Sequence, residues 1–501
     1  MNGTTAAWTL PTTVGAFIAG RPCPGNGPRV DIVDPALGTA ISAIEESDAA
    51  QVDTAVAAAR DAFDRGTTWS RASVPHRQAV LREIQAVLLR HADELAWLEC
   101  RNTGIVLREL RQRHLPRAAS NFGFFADHIG HSAGQVYRQT PGYVSTVMRE
   151  PAGVAALISP WNAPLALSSM QIASAIAFGA TCVIKPSEQS PLAVARMVEL
   201  MHEAGLPPGV VNLVNGRGPV TGQALVAHPD VRRVCFTGGT ETGRRIMETA
   251  AQHLAPCTLE LGGKSANIIF DSADIDRALD GALLGIFSNN GQQCLAGSRI
   301  LVQRSIFEHF VERFVARARK LRIGHPMEGG TELGPLASQA QCQRVLRYAE
   351  LARDDGCTLL TGGAPVPDLS PGFYVQPTAV IAPDNRCRVA QDEIFGPFAT
   401  LMPFDGVDDA LALANDSRFG LVSYVWSDHL PTVTAMTEGL RTGIVWVNTP
   451  MMRELRAPFG GFKDSGVGRQ GGEACEAFFT EEKVVTIPTT PPTLRRLGLS
   501  D

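Results

Sequence analysis

Ten cysteines carry the most nucleophilic side chains in this sequence of 501 residues. None of them forms a Cys-x-x-Cys pair or a zinc-ligand spacing, so the sequence predicts no metal site. Most are expected to be small core residues with reduced thiols. Cys294 follows a predicted helix and the residues Gly-Gln-Gln. It is a candidate nucleophile, which needs access, a polar setting and a separate base. The alternative is that Cys294 is also a packing residue.

Acidic and amide side chains next to glycines or strand ends form a second candidate group. Glu260 precedes Leu261 and two glycines in an apolar segment, where partial burial raises the pKa of a carboxyl group and suits it to general-base work. Asn162 follows a predicted strand, and its amide can donate to an oxyanion. Glu393 and Phe395 offer a carboxylate and a ring in a loop. Taken singly, each segment is equally consistent with an ordinary turn.

A glycine-rich turn between a predicted strand and a predicted helix indicates a phosphate site. Glycines let the backbone approach a ligand, and a helix N-terminus favours an anion. The turn contains Phe236, Thr237, Gly238, Gly239, Thr240 and Gly243, which is not the Gly-x-Gly-x-x-Gly fingerprint. Lys185 and Glu188 follow another strand, where ligands bind in open α/β sheets, and both can hydrogen-bond ribose hydroxyls. The alternatives are a tight turn and a solvated loop.

The elements that must position these side chains alternate between strands and helices. Strands are predicted at residues 154–158, 181–184, 210–213, 231–236, 267–269, 299–302, 358–360 and 444–447. Helices are predicted at residues 75–99, 165–178, 191–204, 242–253, 306–318, 341–353 and 410–415. The alternation predicts parallel pairing with right-handed crossovers, and therefore two doubly wound, Rossmann-like α/β domains on either side of residues 260–263.

Two further segments fit neither α/β block. Residues 135–148 alternate in polarity across a Thr-Pro-Gly turn and predict a β-hairpin, and residues 483–487 predict an isolated strand. Because unpaired strand edges need partners, we expect these strands to pair with each other or with another subunit.

Composition excludes several classes of protein. Hydrophobic residues make up 45% and charged residues 19%, which excludes general disorder. The net charge of −5 argues against a nucleic-acid or anionic-membrane surface. No apolar run approaches the roughly 18 residues of a membrane span, and no signal-peptide pattern is visible. We therefore expect a cytoplasmic protein of about three domains with no nucleic-acid or membrane partner.

The order, identity and spacing of these motifs, from about Phe17 to Ile487, resemble the aldehyde dehydrogenase superfamily. The resemblance implies an NAD-binding domain (residues 1–133 and 153–260), a catalytic domain (261–473) and a small β oligomerisation element (134–152 and 474–501). It also implies a small-molecule aldehyde as substrate and assembly as a homodimer or homotetramer.

Carried over by position, the resemblance implies that Cys294 attacks the aldehyde carbon. Asn162 and the backbone N–H of Cys294 would hold the oxyanion, and Glu260 would activate the water that hydrolyses the thioester. Glu473 resembles a second acid that some members use for proton relay. The implied cofactor contacts are Trp161, Lys185, Glu188, Gly218, Gly222, Phe236, Thr237, Gly238, Gly239, Thr240, Gly243, Leu261, Glu393 and Phe395.

The cofactor implied by the resemblance is NAD rather than NADP. A Glu188 carboxylate that binds both ribose hydroxyls would repel a 2′-phosphate, whereas Arg217 in a neighbouring loop would soften that preference. Two positions depart from the family pattern, because Gly239 replaces a common Ser and Arg344 replaces a common Lys. Arg344 keeps the charge but changes the donor geometry. Neither departure touches Cys294, so catalytic competence is expected.

Residues 448–461 and 117–122 resemble the branch of the superfamily that oxidises hydroxymuconate-type semialdehydes. Such substrates carry a carboxylate distant from the aldehyde, and Arg suits bidentate carboxylate binding. We expect Arg453 to anchor this carboxylate, with assistance from Arg117 and with Arg456 as the competing candidate. The alternative is a set of surface ion pairs.

Another interpretation is a broad-specificity dehydrogenase for aliphatic, aromatic or terpenoid aldehydes. Its apolar tunnel would be lined by Phe122, Phe125, Trp161, Met170, Met451 and Met452. A CoA-acylating dehydrogenase and a non-catalytic homologue are less favoured, because Cys294, Glu260 and Asn162 are all present.

Overall fold

The structure is a computed structural model that describes residues 8–65 and 69–498. Short apolar runs such as Val154–Ile158 and Thr181–Lys185 form its central strands, and every residue in these two strands is buried. Runs that are apolar on both faces suit strands that helices cover on both sides. They build two large, mainly parallel sheets, which confirms the predicted α/β class.

The first sheet has eight strands, and its central pairs are parallel. In spatial order the strands are Gly466–Val467, Cys257–Glu260, Val231–Thr237, Val154–Ile158, Thr181–Lys185, Val211–Leu213, Ala16–Ile18 and Arg21–Cys23. Helices Ala49–Asp64, Pro164–Ala177, Leu192–Glu203, Gln223–Ala227 and Thr240–Ala251 contact it. The carboxyl ends of its parallel strands lead directly into the loops that carry Asn162, Lys185 and Gly238.

The second sheet has seven strands, all parallel except for the first pair. In spatial order they are Thr358–Thr361, Thr378–Ile381, Phe398–Phe404, Arg299–Gln303, Ala266–Ile269, Val422–Trp426 and Ile444–Val447. The accompanying helices are Ile275–Phe287, Phe307–Ala318, Gln339–Asp354, Arg388–Gln391, Val407–Asn415 and Leu430–Gly439. The division of the chain into domains at residues 260 and 473 stays a prediction.

A helical layer and several small elements complete the fold. Its helices are Val74–Arg90, Ala92–Thr103, Leu107–Glu109 and Leu115–His128, with the π-helical turns Leu110–His114 and Gly218–Gly222 and the 3₁₀ turns Ile129–His131, Ser288–Gly291, Arg304–Ile306 and Pro367–Leu369. The small sheets pair Thr13–Val14, Thr39–Glu45 and Arg29–Asp34, and pair Phe419–Gly420 with Phe462–Lys463. None of the helices in the two described ranges has the length and apolar character needed to cross a membrane.

The prediction of a single helix at residues 75–99 is wrong, because the helix breaks at His91. The backbone of His91 has φ −99° and ψ 16°, and a second helix starts at Ala92. The His91 imidazole lies 2.7 Å from a carboxylate oxygen of Glu94. Asp93 and Glu94 place negative charge in the first turn of the new helix, which its N-terminal dipole favours.

A third sheet joins the two segments that fit neither α/β block. Strand Tyr143–Pro151 pairs antiparallel with Gln135–Tyr137 on one side and with Thr480–Pro488 on the other. The expected pairing between the hairpin and the late strand is therefore confirmed within one chain. The helix Gly472–Phe479 leads into the late strand. Arg233 connects this helix to the first sheet, because the Arg233 Nε donates to the Phe478 carbonyl over 2.6 Å.

Candidate active site

Cys294 lies on a loop that two buried asparagines fix in a left-handed turn. Asn289 and Asn290 have φ values of 54° and 56°, a conformation that Asn tolerates better than most residues. The Asn290 amide donates to the carbonyls of Gly104 and Pro335 over 3.0 and 2.9 Å. The Asn289 amide donates to the Asn162 carbonyl over 2.8 Å. The turn therefore holds the loop against both the helical layer and the first sheet.

The Cys294 thiol borders two adjoining cavities of the molecule. Burial raises the pKa of this thiol to about 12, and the Glu393 and Glu260 carboxylates act in the same direction. The Arg117 guanidinium opposes them. The resting thiol therefore keeps its proton at neutral pH, which limits its oxidation, because the thiolate is the reactive form.

Glu260 ends the strand Cys257–Glu260 and shares both cavities with Cys294. Gly466 pairs with it from the edge strand. Both carboxyl oxygens are buried without a hydrogen-bond partner. Burial raises the pKa of Glu260 to about 8, although the positive charges of Arg453 and Arg469 act in the opposite direction. The raised pKa makes the Glu260 carboxylate a stronger base than an ordinary glutamate, and the ionised fraction that is present near neutral pH suits a general base.

The Asn162 amide lies beside the Cys294 loop. Its Nδ2 donates to the Gln292 carbonyl over 2.9 Å. Because an amide nitrogen carries two hydrogens, a second N–H stays available, and Asn162 lines the cavities that Cys294 borders. Cys294, Glu260 and Asn162 are thus brought together from three separate parts of the sequence.

Two adjoining cavities of about 450 and 490 Å³ form a cleft along the carboxyl ends of the first sheet, and we call it the cofactor cleft. It is lined by Trp161, Lys185, Glu188, Gly218, Gly222, Phe236, Thr237, Gly238, Gly239, Thr240, Leu261, Glu393 and Phe395. Gly243 is the one predicted contact outside these walls. A Cβ there would lie 2.7 Å from the Leu261 side chain, so Gly243 allows the helix to pack.

The cleft fits a dinucleotide. The helix Thr240–Ala251 begins at the cleft, and no side chain caps its N-terminus, which leaves backbone N–H groups for a pyrophosphate. A Cβ on Gly239 or Gly218 would meet no atom within 4 Å, so open space lies beside the backbone. A Cβ on Gly262 would lie 2.3 Å from a Glu393 carboxylate oxygen. Glycine at position 262 therefore leaves room for that carboxylate.

The expected Lys–Glu pair lies at the end of the cleft that the resemblance assigns to the adenosine. The Lys185 ammonium lies 3.6 Å from a Glu188 carboxylate oxygen and donates to the Pro186 carbonyl over 2.8 Å. Arg217, expected to soften a preference against NADP, is paired with Glu46. Its Nε and Nη2 donate to the Glu46 carboxylate over 3.0 and 2.7 Å. This bidentate pair holds the guanidinium away from a second anion.

The end of the cleft that the resemblance assigns to the nicotinamide contains Glu393 and two rings in edge-to-face contact. Glu393 accepts a hydrogen bond from the Gly263 backbone N–H over 2.9 Å. The rings of Trp161 and Phe395 have centroids 5.3 Å apart and an interplanar angle of 80°. Arg344 donates to the Glu393 carbonyl over 2.6 Å, so this departure from the family pattern steadies the loop that carries the carboxylate.

The other cavity beside Cys294 has a volume of about 320 Å³, and we call it the substrate cavity. Arg117, Arg453 and Met451 line it, as expected. The Nε of Arg117 and the Nε and Nη2 of Arg453 are buried without a hydrogen-bond partner. Burial, followed by the charge of Arg453, lowers the pKa of Arg117 to about 9. The Arg453 guanidinium lies 4.6 Å from the centre of the Phe459 ring. Buried donors of this kind favour an anionic ligand.

Two predicted substrate contacts lie elsewhere, which corrects the sequence-based expectation. The Arg456 side chain is 76% exposed and forms a bidentate ion pair with Glu454. Phe122 is fully buried in the core of the helical layer. Phe125 and Met170 from the proposed apolar tunnel lie in the same core, whereas Met452 is exposed. Glu473 is exposed in the first turn of helix Gly472–Phe479.

Several residues that line the substrate cavity were not predicted from the sequence. They are Glu109, Arg113, His114, Ala163, Leu167, Asn289, Gln293, Leu295, Trp446, Phe459 and Gln470. The sequence contains a signal for His114: it precedes Arg117 by three residues, and residues at this spacing share a helix face. Phe459 lies in the segment that resembles the semialdehyde branch.

Comparisons with known proteins place the chain in a family. The model described as the aldehyde dehydrogenase family matches residues 23–485. The chain is 41% identical over 464 residues to 5-carboxymethyl-2-hydroxymuconate semialdehyde dehydrogenase of Escherichia coli, covering 92% of this chain and 97% of that protein. It is 39% identical to 2-hydroxymuconic semialdehyde dehydrogenase of Pseudomonas sp. (strain CF600), covering 94% of this chain and 98% of that protein.

A solved structure extends the comparison to the cofactor. PnpE, a protein of Pseudomonas sp. WBC-3, in complex with nicotinamide adenine dinucleotide superposes with a TM-score of 0.94 and 41% identity, covering 96% of this chain and 98% of that one. The chain belongs to the aldehyde dehydrogenase family. It is an oxidoreductase that oxidises aldehydes with NAD, as the resemblance implied.

Replacing Glu188 by Gln is expected to relax the preference for NAD over NADP. Specificity against a charged ligand often rests on repulsion, and Glu188 supplies a negative charge at the adenosine end. We expect the ratio of kcat/KM for NADP to that for NAD to rise on the order of tenfold, about 1.4 kcal/mol. Steady-state kinetics with both cofactors measure this ratio. Glu203→Gln, on the surface of helix Leu192–Glu203, is the control. An unchanged ratio in Glu188→Gln would contradict the role.

Proposed function

We propose that this enzyme oxidises a semialdehyde that carries a remote carboxylate to the corresponding acid. The observation that carries the proposal is the pair of buried guanidinium groups, Arg117 and Arg453, in the cavity that Cys294 borders. A bound carboxylate would give their unpartnered N–H groups acceptors and offset their charge. The relatives at 41% and 39% identity are named as semialdehyde dehydrogenases, which supports this substrate class.

The proposed roles follow from the geometry of the site. The Cys294 thiol releases its proton to solvent and Sγ attacks the aldehyde carbon. The developing oxyanion receives hydrogen bonds from the Asn162 amide and from the Cys294 backbone N–H. When bound, NAD supplies the two-electron oxidation of this adduct. Glu260 then takes a proton from the water that attacks the resulting thioester, and the acid leaves.

The proposal extends to the oligomeric state of the protein and to its cellular compartment. We propose a homodimer or homotetramer, because strands Gln135–Tyr137 and Thr480–Pro488 form the two edges of the third sheet, and edges of this kind favour pairing with a second copy. We propose the cytoplasm as its compartment, because all ten cysteines are unpaired in the structure, which matches a reducing environment.

Arg453→Ala is expected to impair turnover of acidic aldehydes selectively. A hydrogen bond to a charged group contributes about 1.5–3 kcal/mol, so we expect kcat/KM for a carboxylate-bearing semialdehyde to fall on the order of 10- to 100-fold. A neutral aliphatic aldehyde should lose much less, because it makes no ion pair. Steady-state kinetics over a matched panel of acidic and neutral aldehydes provide the measurement.

Arg456→Ala is the matched control for this test. It removes an arginine side chain three residues away, outside the substrate cavity. It should leave kcat/KM unchanged for both acidic and neutral aldehydes. An equal loss of kcat/KM for acidic and neutral aldehydes in Arg453→Ala would contradict the proposed role of Arg453 in binding the carboxylate. A wild-type enzyme that prefers neutral aldehydes would favour the broad-specificity alternative, for which the cavity offers Leu167, Leu295 and Trp446 as apolar walls.

A further inference from the structure

His114 lines the substrate cavity beside the arginines that were described above. It ends the π-helical turn Leu110–His114 and lines the cavity with Arg117. Its side chain is only 12% exposed. π-Helical turns inside longer helices occur often at functional sites. His114 and Arg117 are three residues apart on one continuous helical run, so both side chains face the same side.

The carboxylate of Glu99 lies against one edge of the His114 ring. Glu99 is completely buried, and its Oε1 lies 3.5 Å from Nδ1 of His114. Its Oε2 accepts a hydrogen bond over 3.1 Å from the backbone N–H of Leu165, in the first turn of helix Pro164–Ala177. The Glu99 Oε1 and the His114 Nδ1 that faces it are both buried without a hydrogen-bond partner, and a buried polar atom in this state is costly. Because Nδ1 faces Glu99, Nε2 is on the opposite side of the ring.

The charges around the cavity exceed what one carboxylate would balance. Arg117 and Arg453 both have buried N–H groups without a partner. Arg113 also lines the cavity but pairs with Glu109 over 3.1 Å. Glu260, the remaining acid, has a pKa of about 8 and is mostly neutral at pH 7. Two unpaired guanidinium groups and an imidazole therefore share a small, desolvated space.

We propose that His114, positioned by Glu99, binds a second carboxylate of the substrate together with Arg117, while Arg453 binds the first. The preferred substrate is then a semialdehyde with two carboxylates. This inference rests on the proposed function and deepens it. Since Nδ1 faces Glu99, the opposite nitrogen, Nε2, is the one that would donate to the ligand carboxylate. His114 is thus a specificity residue, and Glu99 is a positioning residue that acts through it.

Inert acids without an aldehyde group test the inference directly. Glutarate, adipate and pimelate are compared with the monocarboxylates of equal chain length as competitive inhibitors of the oxidation of a neutral aldehyde, and their binding is measured by calorimetry. In wild type, the best dicarboxylate should bind at least tenfold more tightly than its monocarboxylate. In His114→Gln, this ratio should fall towards one, while monocarboxylate binding stays within about twofold.

Two further variants separate recognition from a structural effect. Glu99→Gln keeps an acceptor for the Leu165 N–H but removes the charge, and it should reduce the same ratio without weakening monocarboxylates. His131→Gln, on the exposed turn Ile129–His131, is the matched control and should leave the ratio unchanged. Equal weakening of both acid classes in His114→Gln would overturn the inference and indicate a packing role.

The failures of the two proposals are distinguishable. If monocarboxylates bind in a manner that depends on Arg453 but His114→Gln leaves the dicarboxylate advantage intact, only the role of His114 is overturned. If neither acid class binds to wild type and Arg453→Ala treats acidic and neutral aldehydes alike, the proposed function itself is overturned, and this inference falls with it.

Discussion

Replacing Cys294 by Ala is expected to abolish NADH formation while leaving NAD binding intact. The side chain is the thiol at the junction of the cofactor cleft and the substrate cavity, and removing a nucleophile from a catalytic group typically lowers kcat by about 10⁴-fold or more. The cleft walls that we expect to hold the adenosine and the pyrophosphate lie at the carboxyl ends of the first sheet, and the thiol is not among them. NADH absorbance measures turnover, and calorimetry measures NAD affinity.

Cys23→Ala is the matched control for the nucleophile. Cys23 is half-buried on the strand Arg21–Cys23, at the far edge of the first sheet, and its loss should leave turnover unchanged. NADH production at a rate near wild type in Cys294→Ala would assign the chemistry to another residue. A loss of NAD binding of the same size as the loss of turnover would show that the thiol supports the cleft instead.

Glu260→Gln is expected to give a burst of NADH equal to about one equivalent per active site, followed by very slow turnover. Glutamine has the shape of the carboxyl group but cannot take a proton from water, so the thioester accumulates on Cys294. Loss of a general base typically costs about 10²–10⁴-fold in the dependent step. Rapid-mixing kinetics separate the burst from the steady state, and mass spectrometry of the quenched enzyme detects the acyl group.

The pH dependence provides a second check on Glu260. Only the carboxylate acts as base, so wild-type hydrolysis should rise with pH through the pKa of about 8 and level off above it. Glu260→Gln should lose this rise. Glu83→Gln, an exposed change on helix Val74–Arg90, should keep it. Steady turnover of Glu260→Gln at the wild-type rate would show that another group activates the water.

The sequence predicted the central architecture well for a physical reason. Strands such as Val154–Ile158 are short apolar runs with no competing periodicity, and the glycines at 238 and 239 mark the turn that follows Val231–Thr237. Local composition decides such elements. At His91 the backbone leaves the helical region, with φ −99° and ψ 16°. The periodic helical pattern continues across this residue, so periodicity alone predicts one helix.

The substrate contacts were harder to predict because loop geometry decides them. Arg453 and Arg456 are three residues apart in a segment without regular structure, and only the positions of Phe459 and Glu454 determine which guanidinium faces the cavity. Phe122 lies on the apolar side of an amphipathic helix, and periodicity does not distinguish a core side from a cavity wall. The helix face that His114 shares with Arg117 was its one sequence signal, because the π-helical turn that ends at His114 has no sequence signature comparable to a cap or a glycine.

The two-residue strand Gly466–Val467 has a consequence for how the protein is made. It pairs with the strand that ends in Glu260, about two hundred positions earlier, and forms the outer edge of the first sheet. Domains fold as they emerge during synthesis, from the N-terminus onwards, so the strand Cys257–Glu260 is translated long before its neighbour exists. A nascent or prematurely terminated chain exposes this strand as a free edge, and free edges invite aggregation. The strand Cys257–Glu260 is therefore covered only after about two hundred further residues have been translated.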